Sequence, residues 1–273
     1  MSGVGGATPA APRPSGEARL APDPSPPQGP KVGAAVLGAA GIVGQRLVER
    51  LQTHPFLELR ALVGQDTAGK PYREAVSWQP DTPLQDAVAR QRIQPLEEVA
   101  GRPDIPVVFS ALPSGVAGPV ESRLAAAGHK VFTNARDHRM GPAVPLLVPE
   151  VNAEHLALVD RQPGPGWIVA NGNCSSILLA MLLAPLHRAF GVEEAHVTTL
   201  QGLSGAGYPG VSALDIVDNV LPHIPDEEGK LEAEPRKMLG RLTEGGVEPA
   251  PIEIHATATR VPVREGHLAS LHV

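Results

Sequence analysis

The run Val32-Gly-Ala-Ala-Val-Leu37 passes directly into Gly38-Ala-Ala-Gly41-Ile-Val-Gly44, and this junction limits the fold more than any other stretch of the chain. A short apolar run of this kind reads as a buried strand. Gln45 to Gln52 then reads as a helix with Leu47, Val48 and Leu51 on one side, and Leu57 to Val63 as a second strand. Glycines at the first turn of a βαβ unit permit a tight bend and let the backbone approach a pyrophosphate, and they let the helix pack against the strand. The first N–H groups of the helix are then free to face phosphates. A glycine triplet by itself serves equally well as a plain helix start; its place after an opening strand is what favours a dinucleotide site. The expected fold class is α/β with a Rossmann-type parallel sheet, and Gly38, Ala40, Gly41, Ile42, Val43 and Gly44 are the expected cofactor loop.

The end of the second strand usually selects between NAD and NADP. Here it reads Val63-Gly64-Gln65-Asp66-Thr67-Ala68-Gly69-Lys70. Asp66 could accept from a ribose 2′-hydroxyl, which favours NAD, whereas Thr67 and Lys70 could serve a 2′-phosphate, which favours NADP. Val107 to Leu112 forms another buried strand running into Pro113-Ser114-Gly115, and Ser110, Leu112 and Ser114 are cofactor candidates at its C-terminal edge. A helix over about 117–128 and a strand from Lys130 to Thr133 lead into Asn134-Ala-Arg-Asp-His-Arg139-Met140, rich in groups able to bind anions or, equally, an ordinary solvated loop.

Cys174 is the only cysteine, which excludes an internal disulfide framework and any multi-cysteine metal site. It follows the strand Trp167 to Ala170 within Asn171-Gly-Asn-Cys-Ser-Ser176 and precedes the apolar run Ile177 to Ala184. That puts the thiol at a helix N-terminus capped by Ser or Asn, where the dipole and free N–H groups stabilise a thiolate. The competing reading is a small buried hydrophobe. A nucleophilic cysteine needs an acid/base partner, and the chain holds ten histidines. His54, His129, His155, His187, His196 and His223 fall on predicted helices or surface turns. His267 follows a strand that ends before Pro262, with Gly266 freeing the backbone ahead of it, but spacing alone does not single it out.

Elsewhere the composition mostly excludes. Eight prolines among the first thirty residues, with no apolar period, predict a disordered tail over residues 1–30. No run of about eighteen apolar residues occurs, so nothing is expected to span a membrane, and without a targeting signal the expected location is the cytoplasm. A net charge of −6 and eight aromatic residues argue against nucleic acid as a partner.

Seven motifs then occur together in one order. They are Gly38-x-x-Gly-Ile-Val-Gly44, Ser-Ala-Leu-Pro-Ser-Gly (110–115), Asn-x-x-x-x-Arg-Met (134–140), Val-Pro-Glu-Val-Asn (148–152) and Asn-Gly-Asn-Cys-Ser-Ser (171–176), followed by the Gln201-Gly-x-Ser-Gly-Ala-Gly loop and Arg-Val-Pro-Val-x-x-Gly-His (260–267). From about Val32 to the last residue the chain resembles the aspartate-semialdehyde dehydrogenase family, in its archaeal and fungal-type branch. The resemblance implies NADP-dependent reductive dephosphorylation of 4-phospho-L-aspartate to aspartate semialdehyde, a step of lysine, threonine and methionine biosynthesis. It also implies a dinucleotide-binding domain over residues 31–170, followed by an α+β substrate and dimerisation domain over 171–273. Cys174 is then the nucleophile that forms a thioester, His267 the acid/base and Gln201 the side chain that orients the intermediate. Arg260 grips the substrate carboxylate, Glu234 reads the amine, Lys237, Arg139 and Asn134 serve phosphate, and Gly205 joins the cofactor contacts. The partners implied are aspartyl phosphate, inorganic phosphate and further copies of the chain, as a homodimer or homotetramer; no metal is implied.

Two departures from the family pattern carry expectations. Branch members have a serine and an arginine for the NADP 2′-phosphate; here Thr67 stands for the serine and Asp66 for the arginine, so a weakened NADP preference with NAD use is expected. Family members also continue beyond the position of Val273, with further sheet and a helix that contact the nicotinamide half of the cofactor. A second domain cut short, with impaired folding or activity, is expected from that. Two other readings stay open: a reductase of another activated acyl group, of the malonyl-CoA reductase kind, and a catalytically silent cofactor-binding chain. The Asn-Pro-Gly-Cys of N-acetylglutamyl-phosphate reductases is absent.

Overall fold

A computed structural model describes residues 29–273, so the predicted tail lies, save its last two residues, outside the described part. Six strands form the first sheet: β1 (Val32–Leu37), β2 (Leu57–Val63), β3 (Ile93–Gln94), β4 (Val107–Ser110), β5 (Lys130–Thr133) and β6 (Trp167–Ala170). All pair in parallel, in the order β3-β2-β1-β4-β5-β6. This is the doubly wound dinucleotide order, whose strand sequence reverses between β1 and β4. The short runs read as buried strands are buried because both faces are covered. Along β1, Ala35 and Leu37 enter one core with Val108, Val131 and Leu124, while Ala34 and Val36 enter the other with Val48, Leu62 and Tyr72.

The first helix spans Ile42–Leu51, so it begins inside the glycine motif and three residues ahead of the expected Gln45. Gly38 has φ +67°, open to glycine at little cost. A Cβ on Gly44 would stand 2.2 Å from the Gly38 carbonyl oxygen, so only glycine lets the helix lie this close to the loop. Val107 to Leu112 is strand only as far as Ser110; the remainder already turns toward the helix Ala117–Ala126.

The second sheet is small and mixed. β7 (Glu194–Gln201) lies between β10 (Glu253–Arg260), which runs parallel to it, and β11 (His267–His272), which runs antiparallel. Two short strands, β8 (Arg241–Thr243) and β9 (Gly246–Glu248), form a separate hairpin. The helices Cys174–Phe190 and Glu227–Met238 cover one face, where Leu179, Leu183, Leu231, Val197, Ile254 and Ala258 share a core. The strict alternation of burial along β7 leaves its other face exposed. Among the described residues no helix is long and apolar enough to cross a membrane.

Two histidines read as helix or turn residues serve the core instead. His129 is 2% exposed and its ring accepts from Gly101 N–H at 2.8 Å, while His155, fully buried, bonds the Gly240 carbonyl at 3.0 Å. His196 is also re-placed, onto β7.

Candidate active site

Cys174 is the first residue of its helix. The Asn173 side chain caps that helix, its Oδ1 accepting from Ser175 N–H (2.9 Å) and Ser176 N–H (3.1 Å). With those two donors satisfied, the thiol is held at the positive end of a seventeen-residue helix. The residue is exposed, and its Sγ lies 3.1 Å from His267 Nε2.

The register of the second sheet accounts for the partners. Gln201 ends β7 and is paired across the strands with Arg260 on one side and His267 on the other. Directly opposed residues point to the same face. One cross-strand row therefore presents guanidinium, amide and imidazole at the end of the sheet that meets the Cys174 helix. Sequence separations of 59 and 66 residues from Gln201 hid this row from any local pattern.

Charge is coupled within the row. Partial desolvation works against ionisation of Cys174, but the hydrogen bond and charge of His267 outweigh it and hold the thiol below its ordinary pKa. The same bond raises His267, against its own partial burial. The pair therefore leans toward thiolate and imidazolium. The ring's Nδ1 faces the Gly266 carbonyl at 2.9 Å, an acceptor for the second proton of the imidazolium. Gly202 N–H, 3.1 Å from that Nδ1, also has the Gly266 oxygen at 2.9 Å, so it needs nothing from the ring.

Arg260 is 6% exposed and donates to the Gly202 carbonyl at 2.8 Å; burial lowers its pKa, opposed by the charges of Glu227 and Cys174. Gly205, expected among the cofactor contacts, stands against Arg260 and His267. A Cβ there would lie 2.8 Å from Arg260 Nη1 and 3.2 Å from His267 Cε1. Its place beside the reacting pair explains the absence of a side chain.

Glu234 and Lys237, expected to read the amine and to serve phosphate, are both engaged by partners within the protein. Glu234 is 3% exposed and already engaged: it holds Arg139 Nη1 at 2.8 Å and accepts from Asn173 N–H at 2.7 Å. Lys237, 5% exposed, donates to the carbonyls of Arg139, Gly141 and Val144 at 2.6, 2.8 and 2.9 Å, which uses all three of its protons. Burial, only partly opposed by Glu234, lowers its pKa to about 8. Lys237 is thus a structural clamp on the loop after Arg139. Lys237→Met is expected to reduce unfolding free energy by about 3 kcal/mol, since carbonyls left without donors carry the full desolvation cost. Urea melts check this; an unchanged midpoint refutes the clamp.

Glu227 and Lys230, which no sequence signal singled out, stand beside Arg260 and the Asn173 cap. Glu227 Oε1 accepts from Asn173 Nδ2 (2.8 Å) and Gln201 Nε2 (3.2 Å), and Lys230 Nζ binds Glu227 Oε2 at 3.0 Å. Burial opposes the charge on Glu227, but these donors prevail and hold its pKa below the ordinary value. Glu227, Lys230, Arg260 and Gly205 line one cavity of about 370 Å³ with Leu221, His223 and Ile224. A second, of about 320 Å³, brings Lys230 together with Arg136 and Arg139. Arg139 borders it while paired to Glu234, and its Nη2 donates to the Asn134 carbonyl at 2.7 Å. The Asn134 side chain accepts from Asn171 Nδ2 at 2.8 Å, which ties the end of β5 to the segment leading to Cys174.

A third cavity, of about 410 Å³, opens at the glycine loop and is lined by Ala40, Gly41, Ile42 and Val43 with Ala111 and Tyr208. Among the described residues no side chain caps the first helix at Gly41, so that N-terminus can receive an anion. The loop therefore fits a dinucleotide pyrophosphate. Ser110 is fully buried at the end of β4 with an Oγ that finds no partner among the described residues, and Ser114 Oγ accepts from Arg136 N–H at 3.1 Å. Leu112 packs against the core rather than lining this cavity, and exposed Asp66 and half-exposed Thr67 lie in the turn after β2, also outside its lining.

Comparison with known proteins agrees with this plan. Residues 33–159 match the family described as semialdehyde dehydrogenase, NAD binding domain, and residues 183–273 match semialdehyde dehydrogenase, dimerisation domain. The aspartate-semialdehyde dehydrogenase of Cryptococcus neoformans is 42% identical over 262 residues, covering 89% of this chain and 70% of that protein. The Methanothermobacter thermautotrophicus enzyme is 41% identical (89% and 71%), and a malonyl CoA reductase (NADP) of Metallosphaera sedula is 38% identical (88% and 69%). Among solved structures, aspartate semialdehyde dehydrogenase with NADP from Candida albicans superimposes with a TM-score of 0.81 at 36% identity, covering 88% of this chain and 70% of that one. The fold, the order of its parts and these identities lead to one assignment: the chain belongs to the aspartate-semialdehyde dehydrogenase family.

Proposed function

We propose that the chain is an NADP-dependent aspartate-semialdehyde dehydrogenase, and the observation that carries this is the 3.1 Å contact between Cys174 and His267 at a helix N-terminus, beside buried Arg260. The thiolate attacks the carbonyl carbon of aspartyl phosphate; the C–S bond forms, the C–O bond to phosphorus breaks, and phosphate leaves with the electron pair. Cationic Lys230, Arg136 and Arg139 around the adjoining cavity favour the departing anion. Gly41, Ile42 and Val43 at the uncapped helix start would hold the pyrophosphate of NADPH, which would supply the hydride needed to reduce the thioester. His267 donates its proton to the developing oxyanion and takes it back as the sulfur leaves with the aldehyde formed. Arg260 holds the substrate carboxylate through a planar fork, Glu227 reads the ammonium group, and Gln201 orients the acyl oxygen.

The test is phosphate-dependent reduction of NADP by aspartate semialdehyde, abolished when arsenate and phosphate are both omitted. A second reading, reduction of a CoA thioester, rests on the malonyl CoA reductase relative; turnover of malonyl-CoA in place of the semialdehyde would favour it. We read residues 31–170 and 171–273 as the two domains, the chain as a homo-oligomer joined through the second, and the cytoplasm as its location.

Cofactor choice turns on the Asp66-Thr67 pair. A carboxylate beside the adenosine ribose repels a 2′-phosphate. Asp66→Arg is therefore expected to raise the NADP to NAD ratio of kcat/KM by about tenfold or more, as an added charge-assisted bond does. A ratio unmoved by the substitution removes Asp66 from the cofactor site.

A further inference from the structure

The exposed face of the second sheet carries a row of imidazoles that the active site does not use. His196 of β7 pairs in register with His255 of β10 on one side and with His272 of β11 on the other. The His196 and His255 rings stack with centroids 4.7 Å apart, and His272 stands 6.4 Å from His196 on the other side. Glu194, two residues before His196 on the same strand, points to the same face. Its Oε1 lies 2.9 Å from His196 Nε2 and 3.4 Å from His255 Nε2.

We propose that His196, His255 and Glu194 form a binding site for a divalent transition-metal ion of the zinc class. The donor atoms of all three lie within 4.8 Å of one another. Ligands about 2.05 Å from a tetrahedral zinc ion stand about 3.3 Å apart, which matches the 3.4 Å between Glu194 and His255 and asks the 2.9 Å His196–Glu194 contact to open by about 0.4 Å. Two imidazoles and one carboxylate are a borderline donor set, suited to zinc, nickel or cobalt rather than to calcium or magnesium. Three protein ligands leave a position for water or for a further donor. Glu253 is at hand, its Oε1 3.4 Å from His255 Nε2. The three side chains are between 46% and 57% exposed, so the metal exchanges the internal His–Glu contacts for coordination without having to open a core.

The site is remote from the reaction. His196 and Gln201 lie at opposite ends of β7, about 16 Å apart at the usual rise per strand residue. An ion bridging β7 to β10 therefore ties together the two strands that present Gln201 and Arg260, and its effect is on the sheet rather than on the chemistry.

A competing zinc site is Cys174 with His267, so the test uses Cys174→Ser protein, which lacks the thiolate. Zinc retained after equilibrium dialysis is counted in this background and in the same background carrying His196→Ala or His255→Ala. We expect about one zinc ion per chain in Cys174→Ser, affinity at least about tenfold weaker with either histidine removed, and a zinc-dependent rise in melting temperature that both variants lose. His196→Ala with Cys174 intact should keep wild-type turnover, which shows that the surface substitution leaves the fold sound. No retained zinc in Cys174→Ser, or retention undiminished by either histidine substitution, overturns the proposal.

Discussion

Cys174→Ser is expected to reduce turnover of aspartate semialdehyde by about 10⁴-fold or more while leaving melting temperature unchanged. The hydroxyl is a far weaker nucleophile near neutral pH, and a serine ester is a poorer hydride acceptor than a thioester. The exposed position of Cys174 makes no core contact for serine to disrupt. His267→Gln tests the other half of the pair, with an expected loss of about 10²- to 10⁴-fold in kcat. The pH dependence separates positioning from ionisation. His267 holds the thiol low, so without it the thiolate pKa returns upward and the thiolate fraction at neutral pH falls. Alkylation of Cys174 by iodoacetamide, followed against pH, should therefore show its inflection move to higher pH in His267→Gln. An inflection that stays in place would mean that the helix N-terminus alone activates the sulfur.

Much of this arrangement could be read from local sequence, and the reason is physical. β1, β2, β5 and β6 occupy the residues expected for them: β1 and β6 are short unbroken apolar runs covered on both faces, and β2 and β5 keep an apolar interior that charged residues interrupt only at exposed positions. The cysteine could be placed at a helix start because Asn173 and the serines after it cap locally. His267 was not separable from the other nine histidines without the family resemblance, since its partnership with Cys174 spans 93 residues and depends on strand register. The helix Glu227–Met238 misled for a different reason. Glu227/Lys230 and Glu234/Lys237 are both Glu-x-x-Lys pairs, and they stand seven residues apart. Seven residues bring a helix back to within about 20° of the same face, so periodicity cannot distinguish the pairs. Only the axial position differs, by about 10 Å at the helical rise. That shift places one pair beside Arg260 and the other under the Arg139 loop.

Paired substitutions at the two glutamates turn that difference into opposite phenotypes. Glu227→Gln keeps a carbonyl oxygen for Asn173 Nδ2 and Gln201 Nε2 and loses the ion pair with Lys230, whose part-exposed ammonium water can solvate, so stability should fall by no more than about 1 kcal/mol. It removes the negative charge facing the cavity shared with Arg260 and Lys230, and a charge-assisted bond to the substrate ammonium goes with it. The expected cost is about 2–3 kcal/mol in kcat/KM, or about a hundredfold, borne mainly by KM. Glu234→Gln should behave the other way. It leaves buried Arg139 without its counter-charge, an uncompensated cation that costs about 3 kcal/mol or more of unfolding free energy. The surviving folded fraction should bind substrate with a KM close to that of the unsubstituted enzyme, because Glu234 is occupied by Arg139 and the Asn173 N–H rather than by the cavity. Steady-state kinetics beside thermal melts resolve the two. A Glu234→Gln enzyme of normal stability with a hundredfold higher KM would return amine recognition to that residue, and Glu227 would then be the cap that orders Asn173 and Gln201 around the nucleophile.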